Sequence, residues 1–101
     1  MSASVTVVYP NQPGARFDAA YYAATHVPLA TEIWQPARCE VIEALPMGDA
    51  PPPFALIATF HFASMEALGQ AMANPRVPEL QADVANFTDI TPVIMMGRPL
   101  V

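Results

Sequence analysis

Residues 54 to 62 read FALIATFHF, and this run restricts the possible folds more than any other part of the chain. It is rich in β-branched and aromatic residues, and PMGDAPPP (46–53) and Ser64 bound it, so it is expected to be a strand. Strand alternation puts Phe54, Leu56, Ala58, Phe60 and Phe62 on one face and Ala55, Ile57, Thr59 and His61 on the other. A sheet with one wet face alternates apolar and polar residues, whereas here both faces are largely apolar. Helices of the same chain can cover one face. The simplest cover for the other is the sheet of a second copy, giving a homodimer through the sheet face. Composition agrees: 53% of the 101 residues are hydrophobic and 13% charged, more apolar surface than one small domain can hide.

The remaining elements fall around this strand. VTVVYP (5–10) is a β-branched run closed by proline, and NQPGAR supplies a loop. Asp18 is a suitable N-cap for a helix running to Trp34, where Gln35-Pro36 stops it. CEVIEAL (39–45) is expected to form a hairpin with 54–62. Ser64 caps a helix over MEALGQAMA that ends at Asn74-Pro75, and a short helix from Pro78 would align Leu80, Val84 and Phe87. PVIMMG (92–97) closes the chain as a strand. The order βαββαβ defines an α+β, ferredoxin-like antiparallel sheet with helices on one face, in one domain spanning residues 1–101.

Charge and cysteine content exclude several classes. The formal charge is −5, there is no lysine, and Arg16, Arg38, Arg76 and Arg98 are scattered, which disfavours nucleic-acid binding. The apolar runs are too short to cross a bilayer, and MSASVTVVYP lacks the pattern of a signal peptide, so a soluble cytoplasmic protein is expected. Cys39 is alone, without a CxxC or Cys/His cluster, and reads as a buried small hydrophobe; no metal is expected. There is no Gly-rich phosphate loop and no cofactor is implied.

The first helix carries the chain's main oddity, FDAAYYAATHVPL (17–29). At 100° per residue, Tyr22, His26, Leu29 and Ile33 share one side, and Phe17, Tyr21, Ala24 and Pro28 form a neighbouring stripe. His26 therefore lies in an apolar surface that must meet the sheet. Pro28 removes the amide that would bond to the carbonyl of Ala24, a cost of about 3 kcal/mol unless a kink absorbs it.

The spacing FDxxYYxxxHxPL resembles the helical signature of the EthD family, small proteins named for bacterial ethyl tert-butyl ether degradation. VVYPNQPGARFD (7–18), FHFASMEALGQAM (60–72) and NFTDITPVI (86–94) are similar to further family segments, in the same order. The resemblance implies a dimeric α+β barrel in which each subunit keeps a cavity between sheet and helices. The wider superfamily holds cofactor-free monooxygenases, polyketide cyclases, isomerases and haem-degrading enzymes, so the fold alone does not name a reaction. The histidine, tryptophan and asparagine arrangement of its haem degraders cannot be placed on this chain.

His26 is either a general acid/base in a dry pocket or a core histidine satisfied by a carbonyl or Tyr hydroxyl. Tyr22, one turn earlier, is expected to hydrogen-bond His26 or polarise a substrate oxygen, unless it only packs. His61 faces either the same cavity or the dimer interface. Asn86 and Asp89 are expected to cap and turn the chain, with Asp89 orienting a pocket histidine as a second reading. Trp34, Phe60, Phe62, Met95 and Met96 are core or interface residues, some of them lining the cavity. The expected function is binding of a small apolar oxygenated molecule with cofactor-independent isomerisation, cyclisation or dehydration, His26 and Tyr22 being catalytic and His61, Trp34, Phe60, Phe62, Asn86 and Asp89 pocket residues. The alternatives are a non-catalytic accessory or ligand carrier of an oxidative degradation pathway, or a cofactor-free monooxygenase.

Overall fold

Strand β1 (Ala3–Pro10) lies inside a four-stranded antiparallel sheet; the computed structural model describes residues 2–101. Its alternation is strict: Ala3, Val5, Val7 and Tyr9 are buried, while Ser4, Thr6, Val8 and Pro10 are half-buried. β1 pairs with β3 (Phe54–Phe62) on one side and β4 (Val93–Gly97) on the other, and β2 (Arg38–Glu43) pairs with β3 at the far edge, giving the order β2-β3-β1-β4. The fold is α+β and ferredoxin-like, as the pattern of residues implies. The expected hairpin of 39–45 with 54–62 is present, shortened at the Ala44–Leu45 end.

Three helical elements cover one face. α1 runs from Ala19 to Trp34 in three consecutive stretches: α-helical Ala19–Tyr21, a π-helical turn over Tyr22–His26, and α-helical Val27–Trp34. α2 (Met65–Met72) begins at Ser64, whose Oγ accepts from the Ala67 amide at 3.0 Å. α3 (Val77–Asp83) continues into a 3₁₀ turn, Val84–Asn86. Leu80, Phe87 and Ile90 from this last segment pack with Val5, Tyr9, Phe60 and Tyr22 in the core.

The registers sort the other sheet face into three rows. Ile42, Ile57, Val8 and Val93 form an apolar row, Glu40, Thr59, Thr6 and Met95 the middle one, and Arg38, His61, Ser4 and Gly97 the polar end. Among the described residues no element covers these rows; Ile42, Val93 and Met95 are more than half exposed. Ile94 and Met96, on the helix side by register, are also mostly exposed because the helical layer stops short of β4.

The helix face differs from simple 100° projection in one respect. Tyr22, His26, Ala30 and Ile33 are buried, whereas Ala24 and Pro28 of the neighbouring stripe are exposed. α1 ends as expected at Gln35, which adopts φ 49° and ψ 54°. Glycine is the usual occupant of such a left-handed helix end, since a Cβ there costs about 1 kcal/mol or more. Gln35→Gly is expected to stabilise the domain by about 0.5–1 kcal/mol after its own entropic cost, raising Tm by a few degrees in a thermal melt; an unchanged or lower Tm contradicts this.

Candidate active site

The widened turn of α1 determines how His26 is presented. Pro28 has no amide to donate, and its ring would press on the carbonyl one turn before. The chain accommodates it by a turn one residue wider than α, in which the Val27 amide bonds to the carbonyl of Tyr22. Asp18 caps the helix start, its Oδ1 accepting from the Tyr21 amide at 3.0 Å. Tyr22 and His26 thus both face inward. Their rings stack, with centroids 5.2 Å apart and planes inclined by 28°, and Phe87 meets His26 edge-to-face with ring centroids 4.8 Å apart.

The imidazole's polar partner is Asp83, at the end of α3. His26 Nδ1 and Asp83 Oδ2 are 2.8 Å apart, and both side chains are about 90% buried. Asp83 Oδ1 accepts from the hydroxyl of Tyr21 at 2.7 Å and from Asn86 Nδ2 at 3.0 Å. Burial by itself would raise the Asp83 carboxyl, but the hydrogen bonds from Asn86, His26 and Tyr21 outweigh it and hold the group below the ordinary aspartate value. The same carboxylate pushes the Tyr21 phenol up. Desolvation raises Tyr9 to about 12, and it raises Tyr22 further, reinforced by the neighbouring Tyr9. Both phenols are therefore neutral proton donors near pH 7.

A cavity of about 730 Å³ lies between the sheet and the helices. Tyr9, Tyr22, His26, Trp34, Phe60 and Leu80 form part of its wall, with Thr88, Asp89 and Ile94 also in it. No Lys or Arg belongs to the lining. This volume suits a small organic ligand. Among the described residues there is no group of three His, Cys, Asp or Glu that could hold a metal ion.

The sequence-derived site divides accordingly. His26, Tyr22, Trp34, Phe60 and Asp89 meet at the cavity. Three expected pocket residues do not. His61 is on the opposite face of the sheet, because its neighbours Phe60 and Phe62 point inward and strand parity turns it out beside Ser4 and Arg38. Phe62 is buried but borders a separate polar groove with Ile33 and Ala71, one strand step beyond Phe60. Asn86 is exposed and reaches the site only through its bond to Asp83. Tyr22 stacks on His26 instead of hydrogen-bonding it. Asp89 does not orient the histidine either: its Oδ1 accepts from the Arg16 amide at 2.9 Å, the turn-forming role expected of it. Thr88 Oγ1 donates to the Arg16 carbonyl at 2.6 Å, and the Arg16 guanidinium donates to the carbonyls of Ala85 and Asn86, so the loop before α1 is stitched to the segment after α3. The residue that sequence reasoning missed is Asp83, three positions after Leu80 and four before Phe87, a carboxylate in an apolar stripe.

The chain is thus an α+β protein with a ferredoxin-like sheet, one face of it covered by helices, and a cavity between the two layers that His26 lines. Residues 15–91 match the EthD domain, and the chain belongs to the EthD family. It is 38% identical over 85 residues to an uncharacterised 11.0 kDa protein of the thcB-thcC intergenic region of Rhodococcus erythropolis, covering 82% of this chain and 81% of that one. An EthD-like protein from Ralstonia eutropha superposes with a TM-score of 0.86 at 35% identity, covering 99% of this chain and 93% of the other. An EthD family protein from Bacillus halodurans gives 0.76 at 20% identity over 99% and 100%. The cofactor-independent oxygenase SnoaB of Streptomyces nogalater shares the fold alone, with a TM-score of 0.66 at 9% identity over 99% and 93%.

The lowered Asp83 carboxyl has a signed consequence for stability. In the unfolded chain Asp83 titrates near pH 4 and in the folded chain lower, so its contribution is full above that range and is lost as pH falls through the folded value. Asp83→Asn is expected to lose about 1–3 kcal/mol at pH 7, the value of a buried hydrogen bond to a charged group. In melts at successive pH values the gap from wild type is expected to close below about pH 4; a gap constant with pH contradicts the assignment.

Proposed function

We propose that this EthD-family protein takes a small, mostly apolar oxygenated molecule into the cavity and moves a proton on it without a cofactor, as in an isomerisation, cyclisation or dehydration. The observation that carries this reading is the His26–Asp83 pair, 2.8 Å apart and buried, with His26 at the wall of a mostly apolar cavity and Asp83 behind it. With its Nδ1–H bonded to the Asp83 carboxylate, the imidazole has Nε2 free to take a proton from a carbon or hydroxyl next to a carbonyl. The imidazolium so formed keeps its charge next to that carboxylate and returns the proton at a second atom of the same molecule. Tyr22 donates its phenolic hydrogen bond to the substrate oxygen where negative charge develops. Asp83 acts through His26 and is a positioning residue.

The working unit is a homodimer in the cytoplasm. Each copy covers the other's outer sheet face, placing the apolar row Ile42, Ile57, Val8 and Val93 out of water. The single unpaired Cys39 suits a reducing compartment.

Two measurements test these statements. Exchange of the α-protons of α-tetralone for deuterium, followed by NMR in heavy water, is expected to fall about 100-fold or more in His26→Ala; exchange undiminished by the substitution removes His26 from the chemistry. Binding of the ketone without exchange by the wild type would favour a ligand carrier over a catalyst. In sedimentation velocity the wild type is expected to run as a dimer and Ile57→Glu as a monomer; a monomeric wild type contradicts the sheet-to-sheet pairing.

A further inference from the structure

The chain has three tyrosines, and the hydroxyl of one, Tyr21, is spent on Asp83. The other two, Tyr9 and Tyr22, are each 1% exposed, and both line the cavity. One comes from the end of β1 and the other from the widened turn of α1. Their rings meet edge to face, centroids 5.8 Å apart and planes at 80°, and Phe17 and Phe87 each pack against both. The pairing of β1 with β3 slips just after Tyr9, which opposes Leu56 while Pro10 opposes Phe54. Such irregularities re-aim side chains and are over-represented next to active sites.

A phenol this far out of water needs an acceptor for its proton. The Tyr9 and Tyr22 hydroxyls are close enough to act on each other's acidity, Tyr22 lowering Tyr9 and Tyr9 raising Tyr22, but no hydrogen bond of regular geometry joins them or ties either to another described residue. Trp34 Nε1 is the only fully enclosed side-chain nitrogen or oxygen without a partner among the described residues, so both phenol oxygens keep contact with open space. The open space beside them is the cavity. Even a bond between the two would use one of their protons and leave the other over. The Thr88 hydroxyl, also in the wall, is already spent on the Arg16 carbonyl.

We propose that Tyr9 is a further catalytic residue: its phenol and that of Tyr22 donate together to one carbonyl oxygen of an enolisable ketone whose neighbouring carbon faces His26. This deepens the proposed function and rests on its placement of the ligand beside His26 and Tyr22. The α-carbon gives its proton to His26 Nε2, the C–H electron pair becomes the enolate double bond, and the carbonyl π pair moves onto the oxygen held by the two phenols. The lining contains no Lys or Arg, so the phenols and the new imidazolium are what faces that charge. Donors fixed in place before the charge develops stabilise it without reorganising, and the packing of Phe17 and Phe87 against both rings supplies that fixity.

The probes are α-tetralone labelled with carbon-13 at its carbonyl and tetralin, which lacks the oxygen. Tyr9→Phe keeps the ring and removes the hydroxyl. The bound carbonyl resonance is expected downfield of the free ketone in the wild type and to return part of the way in Tyr9→Phe. By calorimetry the variant is expected to bind the ketone about 3- to 10-fold less tightly, the worth of one hydrogen bond, and tetralin as the wild type does. At saturating ketone, exchange of the α-protons is expected to fall about 100-fold, the worth of one oxyanion donor. A carbonyl resonance unmoved by the substitution, wild-type exchange in the variant, an equal loss of affinity for both probes, or no binding of the ketone would each overturn the proposal. Should Tyr9→Phe not fold, wild-type protein labelled with carbon-13 at tyrosine Cζ decides: Tyr9 and Tyr22 are expected to move with the ketone and not with tetralin, Tyr21 serving as the reference, and an unmoved Tyr9 overturns the proposal. The resonances and affinities involve no turnover, so a His26 without a role in proton transfer would abolish the expected exchange and leave them unchanged.

Discussion

The bond between His26 and Asp83 is the interaction on which the helical layer and the site both depend. It ties the middle of α1 to the end of α3, and the same carboxylate collects Tyr21 and Asn86. Removing one partner would strand a buried polar group, which costs more than the bond itself contributes. The aromatic cluster of Tyr9, Phe17, Tyr22 and Phe87 packs around the pair, and the Arg16 bonds to the chain after α3 hold its outer side. What keeps the two helices in register is therefore also what orients the imidazole toward the cavity.

Pro28 takes its meaning from the same arrangement. A proline inside a helix ordinarily ends or kinks it. Here the chain keeps the helix and widens one turn, and the widened turn spans Tyr22 to His26, the two residues stacked at the cavity wall. Such turns are often found at functional sites because they shift side chains from where a regular helix would aim them. The exposed proline is thus linked to the buried histidine through the backbone.

Most of the architecture was legible in the residues. FALIATFHF sets a strand by its period of two, and its outer face belongs to the side of the sheet that no described element covers. Ser64, Gln35-Pro36 and Asn74-Pro75 bound helices by local rules of capping and proline chemistry. Half of the site was legible too, because a histidine on an apolar helix face is a local anomaly that periodicity exposes. Its partner was harder to find. Asp83 lies 57 residues away, and a pairing across that distance depends on how α3 sits against α1, which no local pattern specifies. Asp83 is nonetheless the same kind of anomaly, a charge within the Leu80–Phe87 stripe, and matching the two would have paired them. His61 illustrates the converse: parity separates it from Phe60 and Phe62, but only the placement of the helices says which face holds the cavity.

In the proposed proton transfer Asp83 holds the His26 proton on Nδ1 and leaves Nε2 free to act. Nitrogen-15 NMR of the imidazoles reads this directly, and the chain has only two histidines, so His61 on the opposite sheet face serves as the internal comparison. In the alkaline range, where imidazoles are neutral, His26 is predicted to carry its proton on Nδ1 in the wild type and to lose that preference in Asp83→Asn. A neutral His26 protonated on Nε2 in the wild type would contradict that role for Asp83.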